Sequence, residues 1–142
     1  MSIQINDEIL NQIVQDLELG CNVYFHKINK TTIAIPKSDD EEDLLEYFGD
    51  EIKTIKSDEK NYLLIEPFSS KIGFQTMEDF VFELEDNSAL KKRLSFALQN
   101  KKPFQNFNNA VSNDEHYRQE WFKFKTKASK KKVNEIINAL LL

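Results

Sequence analysis

Between Ser69 and Phe124 the apolar residues recur at helical spacing in four short runs, with only a few residues between one run and the next. The first follows Ser69 or Ser70 and carries Phe74, Met77, Phe80, Val81 and Leu84. The second follows Asn87 or Ser88 and carries Leu90, Leu94, Ala97 and Leu98, with Lys91, Lys92 and Arg93 on its solvent side. Pro103 suits the first turn of a third helix, where its missing N–H costs nothing, ahead of Phe104, Phe107, Ala110 and Val111. Ser112-Asn113-Asp114 then caps a fourth helix bearing Tyr117, Trp121 and Phe124. Helices joined this tightly pack antiparallel or at steep angles, because a short link leaves the chain nowhere else to go. With three glycines and three prolines in 142 residues, helix is expected to dominate.

The last helix carries two apolar stripes that disagree. With Tyr117 at zero and about 100° per residue, Trp121, Phe124 and Ala128 fall within ~40° of it. Val133, Ile136, Ile137 and Leu140 centre near ~150° on the same wheel. One straight helix cannot bury both stripes against one surface. The helix is therefore expected to bend near Ser129, or its second half packs on something else, such as a second copy of the protein. Lys123, Lys127 and Lys130 cluster at ~220–280°, forming a basic face away from Trp121.

The first half of the chain mixes periods. Asn6 and Asp7 open a helix whose Ile9, Leu10, Ile13, Val14 and Leu17 make one buried stripe, closed by Gly20. From Cys21 to Lys37 the spacing shifts to two: Val23 and Phe25, with Ile33 and Ile35 across a turn at Asn29-Lys30, alternate with Tyr24, His26, Thr32 and Ala34. This predicts a hairpin ended by Pro36. Tyr62-Leu63-Leu64-Ile65, stopped by Pro67, predicts a third strand. The acids Asp39 to Asp43 precede a helix with Leu44, Leu45, Phe48, Ile52 and Ile55, where the helix dipole accounts for them. They lack the spacing and glycine of a calcium loop. Gly49 weakens that helix and marks a place for a kink.

The expected fold is α+β: an N-terminal helix and a small three-stranded antiparallel sheet, then a multi-helix bundle ending in a long last helix. Residues 1–142 read as a single domain, with a helix-plus-sheet part over 1–68 and a helical half over 69–142.

Charge is uneven. Residues 1–71 hold 7 Lys/Arg against 15 Asp/Glu, a net of −8, and residues 72–142 hold 12 against 9, a net of +3. Solvated helices that happen to differ explain this as readily as an acidic arm beside a basic docking face. The single Cys21 forms no internal disulfide, no signal segment opens the sequence, and no apolar run nears the ~20 residues of a membrane helix. A cytoplasmic protein away from the membrane is expected.

Catalytic patterns are missing. There is no Gly-rich phosphate loop, no Gly-x-Ser-x-Gly elbow and no zinc spacing, and two histidines with one cysteine fall short of a tetrahedral site. Cys21 and His26 lie on opposite faces of their strand. Glu78 and Asp79 point about 100° apart on a helix, so they do not converge on a substrate. They are expected to pair along the helix or to contact Arg118. No catalytic residue, metal ligand or cofactor is assigned.

Met77-Glu78-Asp79-Phe80, the Leu-rich helix after it, Lys102-Pro103-Phe104 with Phe107, and Tyr117-Arg118 with Trp121 and Phe124 resemble an uncharacterised bacterial family, the UPF family numbered one hundred and fifty-eight. The resemblance spans roughly residues 60 to 126. It implies a small bacterial cytoplasmic protein and brings no assigned activity, substrate, cofactor or functional residue.

The preferred expectation is a non-catalytic protein-interaction or regulatory module. It would dock a protein partner or itself through the apolar C-terminal surface of Ile136-Ile137 and Leu140-Leu141-Leu142, and Arg118, Lys123, Lys127, Lys130, Ile137 and Leu141 are the candidate partner-binding residues. A nucleic-acid-associated factor using the lysine face is the alternative, disfavoured by the net charge of −5. An enzyme ranks third.

Overall fold

A computed structural model describes residues 3–86 and 88–142, so the alternative cap at Asn87 lies outside the described residues. The chain forms two compact units, one of residues 1–67 with 129–142 and one of residues 68–128.

In the first unit, α1 (Asp7–Glu18) begins where the Asn6 side chain accepts the Glu8 N–H at 2.7 Å. It ends at Gly20, whose φ of +85° is the left-handed conformation that glycine adopts without a Cβ clash. Strands β1 (Cys21–His26), β2 (Thr32–Pro36) and β3 (Tyr62–Ile65) form an antiparallel sheet in the order β2-β1-β3. Helix α1 lies against β1 and β2, and α2 (Glu41–Ser57) against β2.

The hairpin is present, but its faces differ from expectation. Val23 stands opposite Ala34 and Ile65, while Ile33 and Ile35 stand opposite Tyr24 and Asn22. Directly opposed residues share a face, so Ile33 and Ile35 join Tyr24 and His26 rather than Val23 and Phe25. The cause is the turn. The Lys30 N–H donates to the His26 carbonyl at 2.8 Å and the His26 N–H to the Thr31 carbonyl at 2.9 Å, which pairs Phe25 with Thr32. One residue more or less in the loop exchanges every side chain of β2 between faces. Lys30 sits at φ +59°, where a Cβ is crowded. Lys30→Gly is expected to raise stability by about 0.5–1 kcal/mol, read as a higher urea midpoint with unchanged slope.

Asp40 caps α2, accepting the N–H groups of Glu42 and Asp43 at 3.0 and 3.2 Å, so the acidic run serves the helix start as the dipole argument requires. The helix breaks at Phe48 (φ −130°, ψ 22°), one residue before Gly49.

The second unit holds α3 (Ser70–Glu83), α4 (Ala89–Gln99), α5 (Pro103–Ser112) and the first half of α6 (Glu115–Leu140). Ser69 caps α3 and Ser88 caps α4, each accepting a backbone N–H. Pro103 opens α5, and Asp114 accepts the Tyr117 N–H at 3.2 Å to start α6. Met77, Phe80, Val81, Leu90, Leu94, Phe107, Val111 and Trp121 form one buried cluster. Its centre is aromatic: Trp121 lies 4.9 Å from Phe107 and 5.2 Å from Phe80, ring centre to ring centre.

Helix α6 is continuous from Glu115 to Leu140, and the division between the units falls after Ala128. The two stripes on its wheel thus belong to different units. The split of the helical half differs from the expected one, because residues 129–142 group with the sheet. Among the described residues, no helix is long and apolar enough to cross a membrane.

Candidate functional site

His26 ends β1 and is 4% exposed, the one buried polar residue among those described. Its Nδ1 accepts the backbone N–H groups of Asn29 at 3.0 Å and Ile28 at 3.3 Å. An acceptor at Nδ1 puts the ring proton on Nε2, which donates to Asp58 Oδ2 at 2.7 Å. Asn61 Nδ2 donates to the other oxygen of Asp58 at 2.8 Å, and the Tyr62 ring meets the imidazole edge-on at 4.8 Å. Spacing did not reveal this cluster, because Asp58 is 32 residues from His26 and closes onto it only when β3 pairs with β1.

A His–Asp pair suggests a general base, but this one has no free lone pair. Both ring nitrogens are engaged, the ring is buried, and no nucleophile stands beside it among the contacts described. Cys21 lies at the far end of β1, and burial, with the nearby Asp16 charge, pushes its thiol above the ordinary value, away from thiolate. No group of three or more His, Cys, Asp or Glu among the described residues is placed to hold a metal ion. The cluster pins the hairpin turn to the β3 entry.

The His26 and Asn61 hydrogen bonds hold the Asp58 carboxyl below its ordinary value. A depressed carboxyl contributes stability above its unfolded pKa, and that contribution fades as pH falls through the lower folded value. Asp58→Asn is therefore expected to lower the urea midpoint at pH 7. The gap to the parent protein should close as pH drops below about 4. A gap that stays constant to pH 2 would refute the assignment.

The solvent side of α6 in the second unit differs in character. Arg118 donates to both oxygens of Glu115 at 2.7 and 2.6 Å, and Gln119 donates to the same carboxylate at 3.1 Å. Arg118 thus pairs on its own helix, and Asp79 accepts from Gln75, so the expected Glu78-Asp79 contact with Arg118 does not form. The pairing holds the Glu115 carboxyl down and the Arg118 guanidinium up. Glu115, Arg118, Gln119, Phe122 and Lys123 line a shallow groove of about 400 Å³. Phe122 is 65% exposed. Sequence reasoning passed over it, although its place ~130° from the Tyr117–Trp121–Phe124 stripe already turns it to solvent. Lys123 and Lys127 are exposed and form no ion pair among the described residues.

The other expected docking residues lie in the first unit. Lys130 donates to Asp7 at 3.1 and 3.3 Å, Leu141 is half-buried, and Ile137 is 0% exposed. Ile137 therefore offers no surface to a partner. Asn138 fixes the N-terminal segment by accepting the Ile3 N–H at 2.6 Å. Of the six residues, the structure gathers Arg118 and Lys123 on one groove, leaves Lys127 exposed further along α6, and assigns Lys130, Ile137 and Leu141 elsewhere.

The chain belongs to the Uncharacterised protein family (UPF0158), whose model matches residues 3–140. That span takes in the sheet and both halves of α6, well beyond the aromatic series. No curated protein and no solved structure matches the chain.

Proposed function

We propose that this member of an uncharacterised family is a non-catalytic interaction module, docking a protein partner through the α6 face centred on Phe122. The observation that carries the reading is the exposed Phe122 ring, which shares one open face of α6 with Arg118 and Lys123. A phenyl ring removed from water contributes about 1.5–3 kcal/mol, and an aromatic beside an arginine is the composition of interface hot spots. The cytoplasm is the proposed setting, in line with a chain whose one cysteine is free.

The test places a photo-crosslinking residue at Gln119 in the cells that make the protein. A discrete protein adduct is expected, lost with Phe122→Ala and kept with Phe96→Ala, a change at another exposed ring. Equal adducts in both variants would overturn the reading.

A nucleic-acid role stands second, favoured by the unpaired Lys123 and Lys127 beside an exposed ring that a base can stack on. Binding through those lysines to a labelled single-stranded RNA would fall steeply with salt and weaken on Lys123→Glu/Lys127→Glu. The first reading expects no such binding at physiological salt.

A further inference from the structure

The chain carries 24 Asp and Glu in 142 residues, yet none falls between Asp86 and Asp114, where five Lys and Arg stand. Helix α4 runs through that stretch. Leu90, Leu94 and Ala97 turn to the core. Lys91 is engaged locally, its Nζ donating to Asp86 at 2.9 Å and to the Leu84 carbonyl at 3.0 Å. The opposite side of the helix is open: Lys92, Arg93, Phe96 and Gln99 are all exposed. At about 100° per residue, Lys92, Arg93 and Gln99 each lie within ~60° of Phe96, so the four share one face. Phe96 is 69% exposed, the one large apolar side chain that α4 turns fully to solvent. Lys101 and Lys102 follow directly, also exposed, and none of these four cations forms an ion pair among the described residues.

A face of this make-up calls for an anion with flat rings. A protein partner covers a cluster of apolar side chains, whereas here a single ring stands among cations with no aliphatic neighbour exposed on the same face. A nucleobase stacks on a lone ring, and in a single strand the base is free to do so. Phosphates flanking that base need cations on both sides of the ring, which Lys92 and Arg93 supply at one end and Lys101 and Lys102 at the other. Gln99 forms no side-chain hydrogen bond among the described residues, and its carboxamide offers a donor and an acceptor that suit a ribose 2′-hydroxyl. The chain's net charge of −5 weighs little here, because exposed charges more than about 8–10 Å away are screened. We infer that this face of α4, with Lys101 and Lys102 beyond its end, binds single-stranded RNA, a base stacking on Phe96 while the four cations hold the phosphates on either side. The inference stands apart from both readings of α6, which use other residues.

The experiment is fluorescence anisotropy of a labelled, mixed-sequence single-stranded RNA with the full chain, across salt. The variants are Phe96→Ala, Phe96→Tyr, Lys92→Glu/Arg93→Glu and Lys123→Glu/Lys127→Glu, all at exposed positions, with circular dichroism checking the fold. Phe96→Ala should weaken binding about fivefold or more, and Phe96→Tyr, which keeps a stacking ring, should restore it. Lys92→Glu/Arg93→Glu should weaken it further and lower the steepness of log K against log salt by about 1.4, the share of two phosphate contacts. Lys123→Glu/Lys127→Glu should leave it unchanged. A parent chain that binds no RNA in low salt overturns the inference, and so does binding that Phe96→Ala leaves intact. Binding lost in Lys123→Glu/Lys127→Glu and kept in Lys92→Glu/Arg93→Glu also overturns it, moving the nucleic-acid site to α6. Poly-glutamate that displaces the RNA as well as unlabelled RNA does would make the face a site for acidic chains, and DNA of the same sequence binding equally would overturn the choice of RNA.

Discussion

Phe107→Ala is expected to remove about 3–5 kcal/mol of stability, the range for deleting a buried aromatic ring. Phe107 has no exposed surface and lies edge-on to Phe80 at 6.4 Å and to Trp121 at 4.9 Å. Removing it takes away the transfer free energy of the ring and leaves a void that helices joined by such short links cannot easily close. Domains of this size are commonly stable by only about 5–15 kcal/mol, so the loss is a large share of what holds the second unit together. The chain has a single tryptophan, and it is in this cluster. Trp121 emission therefore reports this core directly: the urea midpoint should fall well below that of the parent. Phe122→Ala is the matching control, one residue from the probe but exposed, and should change stability by no more than about 0.5 kcal/mol. If Phe107→Ala stays within 1 kcal/mol of the parent, the aromatic cluster is not the core of this unit.

That pair of neighbours also shows how much of the molecule could be read in advance. Trp121 and Phe122 are alike in composition and opposite in fate, and the ~100° step between them separates core from solvent. Helix spacing carries this information locally, so the caps at Asn6, Ser69 and Ser88, the Pro103 start and the Gly20 stop could be read from the sequence. The two stripes of α6 were legible too, but spacing alone points to a bend near Ser129 or to packing on something else. The helix instead runs on unbroken, and a division between units falls after Ala128 as well as near the expected 68/69. What covers each stripe was not legible, because a helical wheel has no knowledge of the other elements. The sheet shows the same limit. Both strands of the hairpin were evident, but which face Ile33 and Ile35 occupy depends on the loop count, and Asn29-Lys30 does not specify it. The Asp58 partner of His26 depends in turn on that sheet and so lay two steps beyond the sequence.

Ile137→Asp is expected to unfold the first unit rather than to weaken a docking surface. Ile137 and Val133 are fully buried, and the segment holding them is tied to the N-terminal segment through Asn138 to Ile3 and through Lys130 to Asp7. A carboxylate at position 137 would have to shed its water with no cation supplied, at an effective cost of several kcal/mol. Ile137→Ala, which only removes methyl groups, should cost about 2–5 kcal/mol. Leu142→Asp supplies the contrast: Leu142 is 95% exposed, and a new charge there should leave the melting temperature within a few degrees. Thermal melts followed by circular dichroism rank the three. A tail built for docking would give the reverse order of consequences, with Ile137→Asp folding normally and losing only its ability to associate. An Ile137→Asp protein with a parent-like melt would return the second half of α6 to the list of interaction surfaces. A collapsed melt leaves the Phe122 face, in the other unit, as the part of α6 available to a partner.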